Sequence, residues 1–247
     1  MTIKMTSEMT TALYEQEELS KVTGDALRPG GLALTTELLA LRRPFSGSAI
    51  LDVGCGAGHT AALLVTAFGL RPTGLDPSAM LLAKAVRRAP TAAFIQGVAT
   101  AIPCRSESFE TLIAECVLSL TGDIEQSLRE MYRVLKPGGV LILSDIYRKQ
   151  AGPKPELSDL KSCITHARSL ATIEKGLYMS GFTLYLFQDC SKLLKQLAGQ
   201  IIFSYGSLEK FWQLFMGKEA ARRTCCALSA APLGYYALIA EKGAYNG

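Results

Sequence analysis

Two apolar periodicities alternate along residues 45–147. Ala49–Val53 is a short apolar run that ends in glycines, and it reads as a strand. Residues 59–69 repeat apolar positions at helical spacing and stop at Gly69, a helix with a glycine close. A second strand is expected at 72–76. A helix follows at 77–89, with proline in its first turn and Arg87-Arg88 in its last. Further strands are expected at 93–98 and 109–118. The next helix covers 123–135, with Asp123 as its N-cap. Lys136-Pro137-Gly138-Gly139 is a tight turn into an apolar strand at 140–145.

Strand and helix in repeated alternation predict an α/β domain, a parallel sheet covered by helices on both faces. Beyond Tyr147 the pattern changes to a polar loop with two prolines. Residues 160–180 read as helical, 182–188 as a strand, 190–229 as mostly helical, and 233–241 as a final strand. The last two strands are expected as an antiparallel edge hairpin with a helical insertion in its connection. Residues 1–44 read as a helical segment interrupted by Arg28-Pro29-Gly30-Gly31. The expected division is a lid segment at 1–44 and one domain at 45–247, with the insertion at about 190–229.

Composition narrows the class. The chain has 247 residues, 49% of them hydrophobic, which excludes a disordered chain. Its apolar runs, such as 61–65 and 140–143, fall far short of the roughly 18 residues of a membrane span. The N-terminal MTIKMTSEMT lacks an apolar stretch, so no secretory signal and a cytoplasmic location are expected. A net charge of +4 from dispersed basic residues does not form the dense stripe of a nucleic-acid binder. The seven cysteines show no zinc-site spacing and read as reduced thiols, so no metal centre is expected.

The chemistry concentrates at Asp52-Val53-Gly54-Cys55-Gly56-Ala57-Gly58, between a strand and a helix. Glycines there permit positive φ and close approach of a ligand, and the helix start offers free N–H groups. The spacing differs from a dinucleotide fingerprint, because the third glycine comes one residue early at Gly58. That speaks against a nicotinamide-dependent oxidoreductase. Asp76 ends the second strand 18 residues after Gly58, where a carboxylate accepts from ribose hydroxyls or caps the next helix.

Asp52–Gly58, then Gly74-Leu75-Asp76-Pro77-Ser78, then the run from Leu128 to Gly139 (LREMYRVLKPGG) together resemble class I S-adenosylmethionine-dependent methyltransferases. The branch they are most similar to contains the ubiquinone/menaquinone-biosynthesis and arsenite enzymes. The resemblance covers 45–147 well and 170–242 in strand order alone. It implies a Rossmann-like, seven-stranded, mainly parallel sheet in the order 3-2-1-4-5-7-6. It implies S-adenosylmethionine as cofactor and S-adenosylhomocysteine as product. Cofactor contacts are implied for Asp52, Gly54, Cys55, Gly56, Gly58, Asp76, Pro77, Val98, Ala99 and Glu115, with Asp52 and the loop backbone at the methionine moiety. Val98 stands where the family commonly carries an aspartate that accepts from adenine.

In-line methyl transfer to a small molecule is the implied reaction, and positioning supplies much of its rate. No catalytic residue is evident. Asp145 and Tyr147 after strand 5, and Glu115 and Cys116 after strand 4, lie where ligands bind in open sheets. His59 and His166 are read as a helix-opening and a helical residue. Cys116 and Cys163 match the positions at which arsenite methyltransferases bind trivalent arsenic, and soft thiolates suit that metalloid. No cysteine precedes Cys55, so a third ligand would come from Cys225 or Cys226. The alternatives are therefore an arsenite methyltransferase using Cys116 and Cys163, or a non-catalytic S-adenosylmethionine-binding protein. Phe203, Tyr205, Phe211, Trp212 and Phe215 are expected to cluster in the helical insertion, as packing or as a pocket wall. Tyr14 and Arg28–Gly31 are read as part of the lid.

Overall fold

A computed structural model describes residue 15 and residues 28–42, 44–149, 162–230 and 232–243. Tyr14, most of the expected lid, and the greater part of the polar loop after Tyr147 lie outside the described residues. The described elements are α1 (Gly31–Leu41), β1 (Ala49–Val53), α2 (His59–Phe68), β2 (Arg71–Asp76), α3 (Ala79–Arg88) and β3 (Ala93–Gln96). They continue as β4 (Phe109–Glu115), α4 (Ile124–Val134), β5 (Leu135–Arg148), β6 (Arg168–Ser169), α5 (Leu170–Met179) and β7 (Phe182–Asp189). The chain then forms α6 (Ser191–Tyr205), α7 (Leu208–Trp212), α8 (Lys218–Ala230) and β8 (Leu233–Lys242).

The sheet order is β3-β2-β1-β4-β5-β8-β7, with the two-residue β6 beside β5. This is the expected order once β6 is counted. β1 is parallel to β2 and β4, and β4 to β5. β8 runs antiparallel between β5 and β7, so the edge hairpin is present with three helices in its connection. Alternate side chains send Leu51, Leu112, Leu141 and Leu238 to one face, against Leu128, Met131 and Ile173. Ile50, Ile113, Ile142 and Ile239 go to the other, against Leu34, Leu38 and Leu64. Two covered faces explain why the central strands are apolar throughout.

Several boundaries differ from expectation, each for a local reason. α3 starts at Ala79, not at Pro77, because the Ser78 hydroxyl caps it by accepting from Leu81 N at 3.1 Å. β3 stops at Gln96, since the chain then turns and Val98 pairs with Ala101. β4 stops at Glu115, where Cys116 takes φ of 56°. β5 starts at Leu135, which already pairs with Phe109, so the Lys136–Gly139 turn is a bulge inside the strand. Asp123 caps α4 as expected, accepting from Gln126 N at 2.9 Å. Helix between 160 and 180 begins only at Leu170, and His166 lies in a turn.

Candidate active site

The glycine loop is built by backbone bonds to β2. Gly54 N and Cys55 N both donate to Leu75 O, at 2.7 and 3.0 Å. Gly56 N donates to Asp76 Oδ2 at 2.9 Å, and Ser78 N donates to Asp76 Oδ1 at 2.9 Å. Asp76 therefore does not cap α3; it holds the loop and the α3 entry together. Gly54, Gly56 and Gly58 have φ of +72°, +53° and +80°. A Cβ on Gly54 would meet Val117, whereas one on Gly56 would meet nothing within 4 Å. The loop is thus packed at its ends and open over Gly56.

Cys55 points inward, its Sγ in the way of any Cβ on Gly74, and burial pushes its thiol pKa up. It is a core residue rather than a nucleophile. Pro77 precedes the α3 cap, and the Gln96 amide donates to its carbonyl at 2.9 Å. Ala99 is buried in the core, while the Val98 side chain is 37% exposed at the β3 end. Asp52 is buried at the end of β1, and its Oδ2 has no hydrogen-bond partner among the described residues. Burial, then the Glu115 charge, raises the Asp52 carboxyl well above its ordinary range, and Arg28 opposes this. Burial also raises Asp76, offset by the Ser78 and Gly56 N–H groups.

Glu115 is engaged on both oxygens. Oε1 accepts from Thr35 Oγ1 at 2.7 Å, and Oε2 from Thr60 Oγ1 at 3.1 Å and Arg28 Nη2 at 2.7 Å. Arg28 Nη2 also donates to Thr35 and Thr60. This network ties α1, the first turn of α2 and the end of β4 together at the boundary between β1 and β4. Thr35 and Thr60 carried no functional signal in the sequence. Their meeting depends on α1 packing over α2.

At the ends of β4 and β5 stands a second group. Cys116 is buried; its amide donates to Ser144 O at 2.8 Å and its thiol lies 3.7 Å from the Tyr235 hydroxyl. Tyr235 donates to Ser144 Oγ at 2.9 Å. The Cys116 thiol also hydrogen-bonds Cys163, which together with burial raises its pKa well above the ordinary thiol range. The structure thus brings Cys116 and Cys163 into contact. It leaves Cys225 packed in the helical insertion and Cys226 exposed. Among the described residues no three metal-ligating side chains gather.

Asp145 lies within β5, buried, and accepts from Ser119 N at 2.9 Å, Ile146 N at 2.7 Å and the Ser119 hydroxyl. It clamps the turn after β4. With Ser119, His166, Arg168 and Tyr236 it lines a small cleft. Tyr147 lies inside β5 rather than after it, its hydroxyl on Asp189 at 3.2 Å. His59 opens α2. In the insertion, Tyr205, Phe211, Trp212 and Phe215 pack edge to face at 5.1 to 6.4 Å. Phe203 does not join them; it is 93% exposed. It falls on the outer face of α6, two residues from Tyr205, about half a helical turn away.

A family described as a methyltransferase domain matches residues 51–143. The uncharacterized methyltransferase YodH of Bacillus subtilis is 38% identical over 133 residues, 52% of this chain and 56% of that protein. Arsenite methyltransferase of Mus musculus is 33% identical over 129 residues, 46% of this chain and 33% of that protein. The chain thus spans about half the length, or less, of these relatives. The crystal structure of the [4+2]-cyclase SpnF superposes with a TM-score of 0.77 at 22% identity, covering 96% of each chain. Among the described residues no helix is long and apolar enough to cross a membrane. The matched domain runs from β1 into β5, and the strand order is the one that the resemblance to class I S-adenosylmethionine-dependent methyltransferases implies.

Proposed function

We propose that the protein transfers the methyl group of S-adenosylmethionine to a small-molecule acceptor. The observation that carries this reading is the glycine loop, open over Gly56 and flanked by the carboxylates of Asp52 and Asp76. These groups fit the cofactor's chemistry. An orphaned buried Oδ2 on Asp52 accepts from an ammonium, and Asp76 at the β2 end accepts from ribose hydroxyls. Gly54, Cys55, Gly58 and Pro77 shape the loop. Val98 and Ala99 offer apolar contact and backbone groups to the base. Glu115 holds Thr60 at the first turn of α2 beside the loop.

When bound, S-adenosylmethionine supplies an electrophilic methyl carbon. The chain's part is to bind, orient and exclude water. The ends of β4 and β5, with Cys116, Tyr235 and the 162–167 turn, form the acceptor end. Asp145 acts there through the Ser119 turn that it clamps. The Ser78 hydroxyl at the α3 entry donates to Glu15 at 2.5 Å, which supports a place for Glu15 beside the loop. Calorimetry with S-adenosylmethionine and S-adenosylhomocysteine tests the reading. Absence of binding at millimolar ligand would sink it. Asp76→Ala is expected to weaken both ligands alike, by roughly ten- to a hundredfold for lost charged hydrogen bonds.

The contact between Cys116 and Cys163 favours a second reading, in which the acceptor is trivalent arsenic held by both thiols. Cys116 is also held at φ of 56°, a costly conformation for a residue other than glycine. Transfer of labelled methyl to a panel of phenols, quinols, thiols and arsenite separates the readings. Arsenite turnover lost in both Cys116→Ser and Cys163→Ser supports the second. No arsenite binding to the reduced protein ends it.

A further inference from the structure

We propose that Arg28 is the receptor for the carboxylate of the cofactor's amino-acid moiety, with Glu115, Thr35 and Thr60 as its positioning residues. This rests on reading the glycine loop as an S-adenosylmethionine site. Arg28 lies 24 residues ahead of Asp52 in the sequence, on the segment leading into α1. Folding brings it to the carboxyl end of the sheet between β1 and β4. There the strand order reverses and open sheets bind their ligands.

The hydrogen bonds around Arg28 are lopsided. Among the described residues the contacts are made by Nη2, to Thr35 Oγ1 at 2.7 Å, Thr60 Oγ1 at 3.0 Å and Glu115 Oε2 at 2.7 Å. Among the described residues Nε has no partner, and it is buried on a side chain only 10% exposed. An arginine present only to neutralise Glu115 gains most by a two-point fork on both carboxylate oxygens. Here Glu115 Oε1 is taken by Thr35 instead. Among the described residues Nη2 is thus the nitrogen that holds the guanidinium, and Nε is left for another acceptor.

The second orphan in this cluster has the opposite character. Asp52 Oδ2 is a buried acceptor without a donor among the described residues, and Asp52 lies close enough for its charge to act on Arg28. Leaving buried charged groups unpaired is costly. An amino-acid zwitterion brings one charge of each sign. It satisfies Arg28 with its carboxylate and Asp52 with its ammonium, and leaves the net charge of the cluster unchanged. A planar guanidinium suits a carboxylate better than an ammonium side chain does.

The test is calorimetric and needs no turnover. S-adenosylhomocysteine and its decarboxylated analogue are titrated into the wild-type protein and Arg28→Gln. The wild type is expected to bind the carboxylated ligand at least about tenfold more tightly, and the variant to bind the two alike. A preference that survives in Arg28→Gln overturns the assignment, as does a wild type that does not discriminate. If the wild type binds neither ligand, the cofactor site itself is refuted. Thermal melting accompanies each titration. Should Arg28→Gln fail to fold, Arg28→Lys, which keeps a cation against Glu115, is expected to narrow the preference for the carboxylated ligand, and an undiminished preference overturns the assignment.

Discussion

Replacing Gly58 by alanine separates what the glycine loop does for folding from what it does for a ligand. Gly58 is the N-cap of α2 at φ of +80°, with no side-chain cap. A Cβ there would lie 2.8 Å from Ala85 Cβ and 2.9 Å from Ala85 Cα in α3. Neither atom can move without the α3 backbone, so relief requires α2 and α3 to move apart. The left-handed conformation costs an alanine about 1 kcal/mol, and overpacking adds about 1–3 kcal/mol. A total of about 3 kcal/mol lowers the melting temperature of a chain of this size by about 6–12 °C. Gly56→Ala is the control. At φ of +53°, with nothing within 4 Å of its Cβ, it carries only the conformational cost. Its melting temperature is expected to fall by only about 2–4 °C. Its Cβ would stand in the open face of the loop, so S-adenosylhomocysteine affinity is expected to drop. Circular dichroism melts and calorimetry read both effects. A Gly58→Ala protein that melts within about 2 °C of the wild type refutes the packing account.

Two other predictions concern stability. Burial raises the Asp145 carboxyl from 3.8 to about 6, against the opposing hydrogen bonds from Ser119 and Ile146. Its folded pKa exceeds its unfolded one, so its contribution is full below about pH 4 and is lost as pH rises through about 6, about 3 kcal/mol in all. Urea midpoints across this range should fall with pH in the wild type by more than in Asp145→Asn; parallel curves would contradict the sign. Lys242 is buried and donates to Tyr132 O at 3.0 Å and Leu135 O at 2.8 Å, at the end of α4. Lys242→Met keeps the stem and removes the donors. It is expected to cost about 2 kcal/mol, or about 4–8 °C in melting temperature. An unchanged melt would show that those carbonyls find other partners.

Most of the sheet was legible in the sequence. β1 and α2 fall on residues that apolar periodicity and Gly69 delimit without reference to anything distant. Boundaries failed where a neighbour strand intervened. Leu135 is strand rather than helix because Phe109 pairs with it across the sheet. Phe203 was misplaced because aromatic spacing does not say which side of a helix a core lies on. Residues 160–180 read as helical, but before Leu170 the chain is drawn across the end of β5 to form β6.

The candidate site divides in the same way. The glycine loop and Asp76 could be read from sequence because one strand-turn-helix unit and the next strand contain them. The contacts of Glu115 and Cys116 could not. Thr35 reaches Glu115 across 80 residues, and Tyr235 reaches Cys116 across 119. Backbone propensity and apolar period act over a few residues, so the sequence by itself determined the elements, their parallel stacking and the loop. Which polar side chains share a buried space is decided by packing of elements far apart in the chain. Only the tertiary structure could bury Asp52 Oδ2 and Arg28 Nε in one cluster, without partners among the described residues.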